Sequence, residues 1–317
     1  MRREQWLTQR ETTGNRKKLQ SVELNNEFKY KHRIEMINRH LVLISNPGNP
    51  NDENYTKTTE EAIGRWEAFF RSPIGGNWKS EEITRFGEEN SIDPEGLKRL
   101  LIPLNTVQCQ YSMIVFCGHG CCTADDEDAI QLPIPTKENN NLLPVEDLLG
   151  GGLPFIRRTV ILDACRSFIP YTSEQLFEEK QYSSIYKIDG IECGKYYDSL
   201  IMEAQPHVEI LYSTSKHYKA YGSEDASQYA DAMSNIVRIK SLYWKACAIN
   251  NRYGHFCYNM CDLHKDLTSA LADREIQTPE YRVHGKTDIL FPFVAMHLPT
   301  ERSLYNDDAV VEVLGGL

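Results

Sequence analysis

No stretch of this sequence stays apolar for longer than a β-strand, so nothing in it reads as a membrane-spanning helix. The N-terminus, Met1-Arg2-Arg3-Glu4-Gln5-Trp6, has no apolar core of the kind a secretory signal needs, and a cytoplasmic protein is the expectation. Basic charge is in deficit: 35 Lys and Arg stand against 45 Asp and Glu, a net charge of −10. That balance argues against broad binding to nucleic acid or to acidic lipid. A disulfide framework is not expected, and reduced thiols are, because nine cysteines is an odd number in a chain with no export signal. Most of these thiols should be small buried hydrophobes. Internal repeats and low-complexity tracts are missing too, which sets aside solenoids and fibrous folds. What remains is globular, with 317 residues that are 41% apolar and 25% charged, enough for a large core.

Two stretches stand out against that background. Thr159-Val160-Ile161-Leu162-Asp163-Ala164-Cys165-Arg166-Ser167 is an apolar, β-branched run that ends in an acid, a small residue and a cysteine. Tyr111-Ser112-Met113-Ile114-Val115-Phe116-Cys117-Gly118-His119-Gly120 is its twin, ending in a histidine between two glycines. Each predicts a buried strand that delivers a reactive residue at its C-terminal tip.

Around them strand and helix alternate, the signature of a parallel α/β sheet. Residues 40–45 predict a strand and 46–52 a loop. Thr58 opens a helix with Glu60 and Glu61 in its first turn and an apolar face of Ala62, Trp66, Phe69 and Phe70, ended by residues 73–76. Residues 82–86 predict a second strand, and Asp93-Pro94-Glu95 caps a second helix. After the His119 strand, residues 144–149 predict a short helix, and Gly150-Gly151-Gly152 breaks it. Residues 168–206 show no sustained period, whereas 207–215 read as a strand. A helix begins near Asp225, residues 241–271 add one or two more, and 281–283 with 289–293 are expected to close the sheet. Residues 1–38 form an N-terminal arm, 39–300 the main domain, and 301–317 a tail.

Ligands of open α/β sheets bind outside the carboxyl ends of neighbouring strands. If the two strands pair in parallel, His119 and Cys165 meet at one edge. A cysteine attacks only as thiolate and needs a base, and imidazole titrates near neutral pH. The glycines flanking His119 leave room for a substrate backbone. The Gly120 N–H is then a donor for a developing oxyanion, together with the N–H of Cys165. Taken singly, Cys165 reads as a core thiol and His119 as a loop histidine. Taken together, at two strand ends, they read as a nucleophile and its base.

The segments Phe116-Cys117-Gly118-His119-Gly120 and Leu162-Asp163-Ala164-Cys165-Arg166-Ser167 resemble the two motifs of the caspase-like cysteine peptidases, which include caspases, metacaspases and bacterial orthocaspase-like relatives. The histidine and cysteine are 46 residues apart, near the family's spacing. Tyr212-Ser213-Thr214-Ser215 through Tyr221-Gly222 is similar to the caspase small-subunit segment, and Gln277-Thr278-Pro279 with Phe291-Pro292-Phe293 resembles the end of bacterial caspase-like domains. The resemblance covers roughly residues 40–297. It implies a caspase-like α/β sandwich, a mostly parallel six-stranded sheet with helices on both faces. Residues 39–167 are then large-subunit-like, 168–206 a linker, and 207–300 small-subunit-like. It also implies that Cys165 attacks the scissile carbonyl and that His119 assists without an orienting acid.

Departures from the caspase pattern bear on substrate class. Where caspases carry a glutamine two residues before the nucleophile stands Asp163, and where they carry an arginine stands Gly222. Such a pocket repels an aspartate at P1 and pairs with Arg or Lys, as in metacaspases. Cys117 takes the place of a metacaspase pocket serine, Tyr221 that of a caspase tryptophan, and Asp52 adds a second acid. Family members often cut themselves at the junction occupied here by residues 168–206, where Lys180, Lys187 and Lys195 are candidate sites. Calcium, bound by some metacaspases, has a candidate site in Asp125, Asp126, Glu127 and Asp128, although the run reads first as an acidic surface loop. His255, Cys257, Cys261 and His264 lack the tight spacing of a closed zinc site. Cys257, Cys261 and His264 are expected on one helix face as core packing, and neither zinc nor another cofactor is predicted. The expected partners are protein or peptide substrates. Control by an activating partner, a ligand or self-cleavage, in a bacterial-type defence or cell-death pathway, is implied by resemblance. The alternative is a catalytically silent scaffold of the same fold.

Overall fold

The computed structural model describes residues 37–48, 58–122, 127–134, 141–164, 188–216, 227–249, 254–272 and 277–298. All of them belong to one compact unit, Ile37–Leu317. The arm before Ile37, the tail from residue 301, and much of the 168–206 segment lie outside the described residues.

Strand β1, Arg39–Asn46, is an apolar run buried along almost its whole length. Helix α1, Thr58–Arg71, carries Glu60 and Glu61 in its first turn and Arg71 in its last, each sign at the helix end that attracts it. β2, Ile83–Phe86, follows. Helix α2, Pro94–Leu104, is capped by Asp93, whose carboxylate accepts from the Gly96 N–H at 2.6 Å, and it buries Leu97, Leu101 and Leu104. β3 is Tyr111–Gly118 and β7 is Arg158–Ala164, both buried on two faces and therefore almost continuously apolar. Between them three short strands, β4 Gly120–Cys122, β5 Asp128–Gln131 and β6 Leu142–Pro144, form a small antiparallel sheet. Then come α3 Gly190–Glu203, β8 Val208–Tyr212, α4 Gln228–Ile249, β9 His255–Asn259, α5 Met260–Ala272, β10 Glu280–His284 and β11 Pro292–His297.

The central sheet has six strands in the order β10-β8-β7-β3-β1-β2. All neighbours are parallel except β10, which runs antiparallel to β8. The expected mixed α/β architecture, six strands and mostly parallel, is the one observed. One face holds Val42, Ile44, Ile114, Phe116, Val160, Leu162 and Ile210 against Leu97, Leu101, Leu143 and Leu148, so α2 and the small sheet cover it. On the other face the Tyr111 ring meets Trp78 and Phe291, centroids 6.1 and 5.2 Å away, and Trp66 and Phe70 of α1 pack with Phe293. Among the described residues no helix is long and apolar enough to cross a membrane.

The structure corrects several expectations. Residues 289–293 do not close the central sheet: β11 pairs with β9 in a separate two-stranded sheet, and β10 alone is the sixth strand. Residues 255–259, read as part of a helix, are that strand β9. Residues 142–144 are strand and 145–148 a single 3-10 turn. The apparently structureless 168–206 stretch contains α3, capped by Asp189, which accepts from the Ile191 N–H at 2.9 Å. Its helical period is hidden because Gly194 and Asp198 share the buried face with Cys193, Tyr197 and Ile201. Asp198 is buried because it meets Arg39 of β1 at 2.7 Å. Arg39 also reaches Glu82 at 3.1 Å and the Gly76 carbonyl at 2.9 Å, and its guanidinium lies 4.3 Å from the centre of the Trp78 ring.

Candidate active site

The site is built by register. β3 and β7 are direct neighbours, with Cys117 opposite Asp163 and Gly118 opposite Ala164. The next residue along the chain is His119 on one side and Cys165 on the other. Cys165 lies outside the described residues, as do Asp52 and Tyr221. His119, Gly120, Cys117 and Asp163 are described, and the sheet brings them to one carboxyl edge.

His119 is half-buried between β3 and β4. Its carbonyl accepts from the Gln131 N–H at 2.8 Å, which ties the strand tip to the small sheet. Its Nε2 is buried and has no hydrogen-bond partner among the described residues. Buried polar atoms are nearly always satisfied, so this nitrogen calls for a partner beyond the described residues.

Gly118 has a different job from the one expected. A Cβ on this residue, whose φ is +157°, would stand 2.6 Å from the Asn46 carbonyl oxygen and 3.1 Å from the Asn46 nitrogen. The space beside it is therefore filled by β1 and is not left open for a substrate backbone. Gly118→Ala forces two main chains apart, and we expect it to lower the unfolding free energy by about 2 kcal/mol. Urea denaturation checks this, and an unchanged midpoint would show that β1 yields freely.

Asp163 is 5% exposed. The Ser227 hydroxyl donates a short hydrogen bond to its Oδ2, and the same hydroxyl accepts from the Ala230 N–H at 2.9 Å, capping α4. Burial pushes the Asp163 carboxyl up to about 7, against the Ser227 hydrogen bond and with the help of nearby Asp231. Asp231 itself pairs with Arg65 at 2.7 Å. The other oxygen of Asp163, Oδ1, is buried without a hydrogen-bond partner among the described residues, and so are Gln228 Oε1 and Tyr229 Oη on the first turn of α4. Across the register, burial and the neighbouring Asp163 hold the Cys117 thiol well above its ordinary pKa. Cys117, paired with Asp163 across the register, is thus held toward its protonated form.

Other candidates fall elsewhere. Of the acidic run, Asp128 pairs with Arg282 at 3.5 Å and Glu127 is exposed, while Asp125 and Asp126 lie outside the described residues. Cys257 sits on β9, so it shares no helix face with Cys261 and His264, which are on α5. Lys180 and Lys187 lie outside the described residues; Lys195 is inside α3, paired with Glu192 at 2.7 Å, a conformation that must unwind before a protease can read it.

Two serines were missed by the sequence reading. Ser213, directly after β8, accepts from the Ala164 N–H at 3.2 Å and donates to the Ala164 carbonyl at 3.3 Å, fixing the residue that precedes Cys165. Its own carbonyl accepts from Gln277 Nε2 at 2.8 Å. Ser227 had a readable signal, a serine immediately before a helical period, which is an N-cap signature. Its second contact, to Asp163, is 64 residues away and has no local signature.

No family model matches the chain, and no curated protein matches it. Among solved structures, caspase-1 from Spodoptera frugiperda is similar at 11% identity and a TM-score of 0.43, over 78% of this chain and 86% of that one. A structural-genomics protein of Geobacter sulfurreducens is similar at 12% identity and a TM-score of 0.47, over 82% of this chain and 99% of that one. Likenesses of this degree concern the course of the backbone and carry nothing about chemistry.

Proposed function

We propose that the chain is a cysteine endopeptidase that cuts proteins after Arg or Lys, with Cys165 as nucleophile and His119 as its base. The observation that carries this reading is the buried Nε2 of His119, which has no hydrogen-bond partner among the described residues and lies one residue past the register pair that also leads to Cys165. The Cys165 thiol gives its proton to that nitrogen, and the thiolate attacks the scissile carbonyl. The N–H groups of Gly120 and Cys165 receive the oxyanion. His119 then returns the proton to the leaving amine, and the acyl-enzyme is released by a water that His119 deprotonates.

Asp163 supplies selectivity. Among the described residues its Oδ1 has no hydrogen-bond partner, and its charge is suppressed by burial, so a guanidinium or ammonium group arriving there provides both the hydrogen bond and the counter-charge. Cys117 and Tyr221 complete the pocket wall in this reading, with Asp52 as a second acid. Substrates are proteins or peptides, and basal activity is set by an activating partner, a ligand or cleavage within residues 168–206.

The test is hydrolysis of fluorogenic peptides carrying Arg, Lys or Asp at P1, by the full chain with and without cell extract. Cleavage after Arg or Lys that falls at least about a thousandfold in Cys165→Ala is the expected result. Preference for Asp at P1 would overturn the role of Asp163 and leave the peptidase. No cleavage under any condition, with a Cys165 that ignores thiol-reactive probes, would make the chain a silent scaffold.

A further inference from the structure

A second group of titratable side chains lies where β9 meets β11. The antiparallel register sets His255 directly opposite His297. Their Nδ1 atoms are 3.2 Å apart and their ring centroids 4.5 Å apart. We propose that this cross-strand pair binds a divalent transition-metal ion of the zinc, nickel or copper class through its two Nδ1 atoms, with water in the remaining positions.

The spacing carries the proposal. Two imidazole nitrogens, each about 2.0–2.1 Å from one ion, stand about 2.9 Å apart at a right angle and about 3.4 Å apart at the tetrahedral angle. The observed separation falls between those limits, so an ion enters with little movement of either ring. Both rings are held from behind. Tyr196 packs edge-on against His255, centroids 5.0 Å apart, and the Cys193 sulfur accepts from the His297 N–H at 3.2 Å. His255 is exposed and His297 half-buried.

The local charge also favours a cation. Asp189 and Glu192, at the start of α3, lie close enough to act electrostatically on His297. Burial holds both imidazoles below their ordinary pKa, so at neutral pH they present lone pairs to a metal. Without an ion, one Nδ1–H donates to the other ring. When an ion enters, that proton moves to Nε2 through solvent, with no net release. Among the described residues no group of three His, Cys, Asp or Glu side chains is placed to hold a metal ion. The site is therefore an open, two-ligand one, and its affinity should be modest.

The experiment is a calorimetric titration of nickel chloride into the untagged full chain, in the wild type, His255→Gln and His297→Gln. Nickel is chosen because imidazole suits it well. A single-site isotherm that weakens at least about tenfold in either variant is expected. Nickel should also raise the unfolding temperature of the wild type and of neither variant. An isotherm unchanged in both variants would place the nickel elsewhere in the chain and overturn the proposal, as would no binding at about 1 mM nickel. A readout without substitution is paramagnetic broadening of the His255 and His297 ring resonances in the wild type. Broadening that spares both rings would equally overturn it.

Discussion

Asp163→Asn is expected to stabilise the fold above pH 7 by roughly 4 kcal/mol and to remove the preference for Arg at P1. The first effect follows from burial. The Asp163 carboxyl has a folded-state pKa of about 7 against 3.8 for the free group. A carboxyl raised in this way binds its proton more tightly in the folded chain than in the unfolded one. Its penalty is absent below about pH 4, grows as the unfolded state ionises, and is complete above pH 7 at about 1.4 kcal/mol per pH unit. Asparagine keeps the shape and can still accept from Ser227, so it removes the charge without opening a cavity. Urea denaturation at pH 4 and pH 8 separates the cases: the variant should match the wild type at the lower pH and exceed it at the higher. Parallel differences at both would mean that the buried charge is not the cause.

The second effect reads the same carboxyl through catalysis. A peptide with Arg at P1 should be preferred over one with neutral citrulline by about a hundredfold in the wild type, and that preference should fall to near unity in Asp163→Asn. In the wild type, kcat/KM for the Arg substrate should rise through pH 7 as Asp163 ionises, beyond any rise shown by the citrulline substrate. Equal pH profiles for the two substrates would detach Asp163 from P1.

Arg39→Ala should cost about 3–5 kcal/mol of stability at pH 8. Arg39 and Asp198 are both buried, their side chains each 1% exposed, and they meet at 2.7 Å. Burial has already pushed the Asp198 carboxyl up to about 6, with Arg39 as the main opposing influence. Truncating the arginine leaves that carboxylate without its counter-charge and also unpairs the Gly76 carbonyl. Because the lost partner acts on the charged form, Asp198 in the variant takes up its proton at a higher pH than in the wild type, so the cost should shrink as the pH falls from 8 toward about 6 and level off below it. The double variant Arg39→Met, Asp198→Leu should recover most of the loss, since replacing both members of a buried pair by apolar groups is nearly neutral. A double variant as unstable as the single one would show that packing of the arginine stem over Trp78, and not the charge, is what matters.

These two residues also mark the limit of what the sequence discloses. The strands β1, β3, β7 and β8 are legible because each is buried on both faces and must be apolar throughout. Their tips are legible because a run ending in Gly-His-Gly or in Asp-Ala-Cys departs from that rule abruptly. A parallel sheet puts these tips on one edge, but that the His119 strand lies beside the Cys165 strand is known only from their pairing. Arg39 and Asp198 break the pattern in the opposite way: each is a charge on a core face, and each reads as surface until its distant partner is known. That is why α3 was invisible. The Ser227–Asp163 contact was hidden for the same reason, since a hydrogen bond between residues 64 apart leaves no mark on either neighbourhood. β9 and β11 are too short to declare which sheet they join, and only their mutual register settles it.

The order of strands has a consequence for synthesis. Starting from β1, the sheet gains β2 on one side and then β3, β7, β8 and β10 on the other, each later strand in chain order settling on the edge left by the one before. While the chain is emerging from a ribosome, the growing side always ends in an apolar strand with unpaired main-chain groups. β8, with every residue buried in the finished fold, is the last of these. Closure comes only with β10, whose Glu280, Arg282 and His284 bring charge and polarity to the rim. A nascent chain interrupted between Tyr212 and Glu280 is therefore a sticky intermediate that recruits other copies through its bare edge.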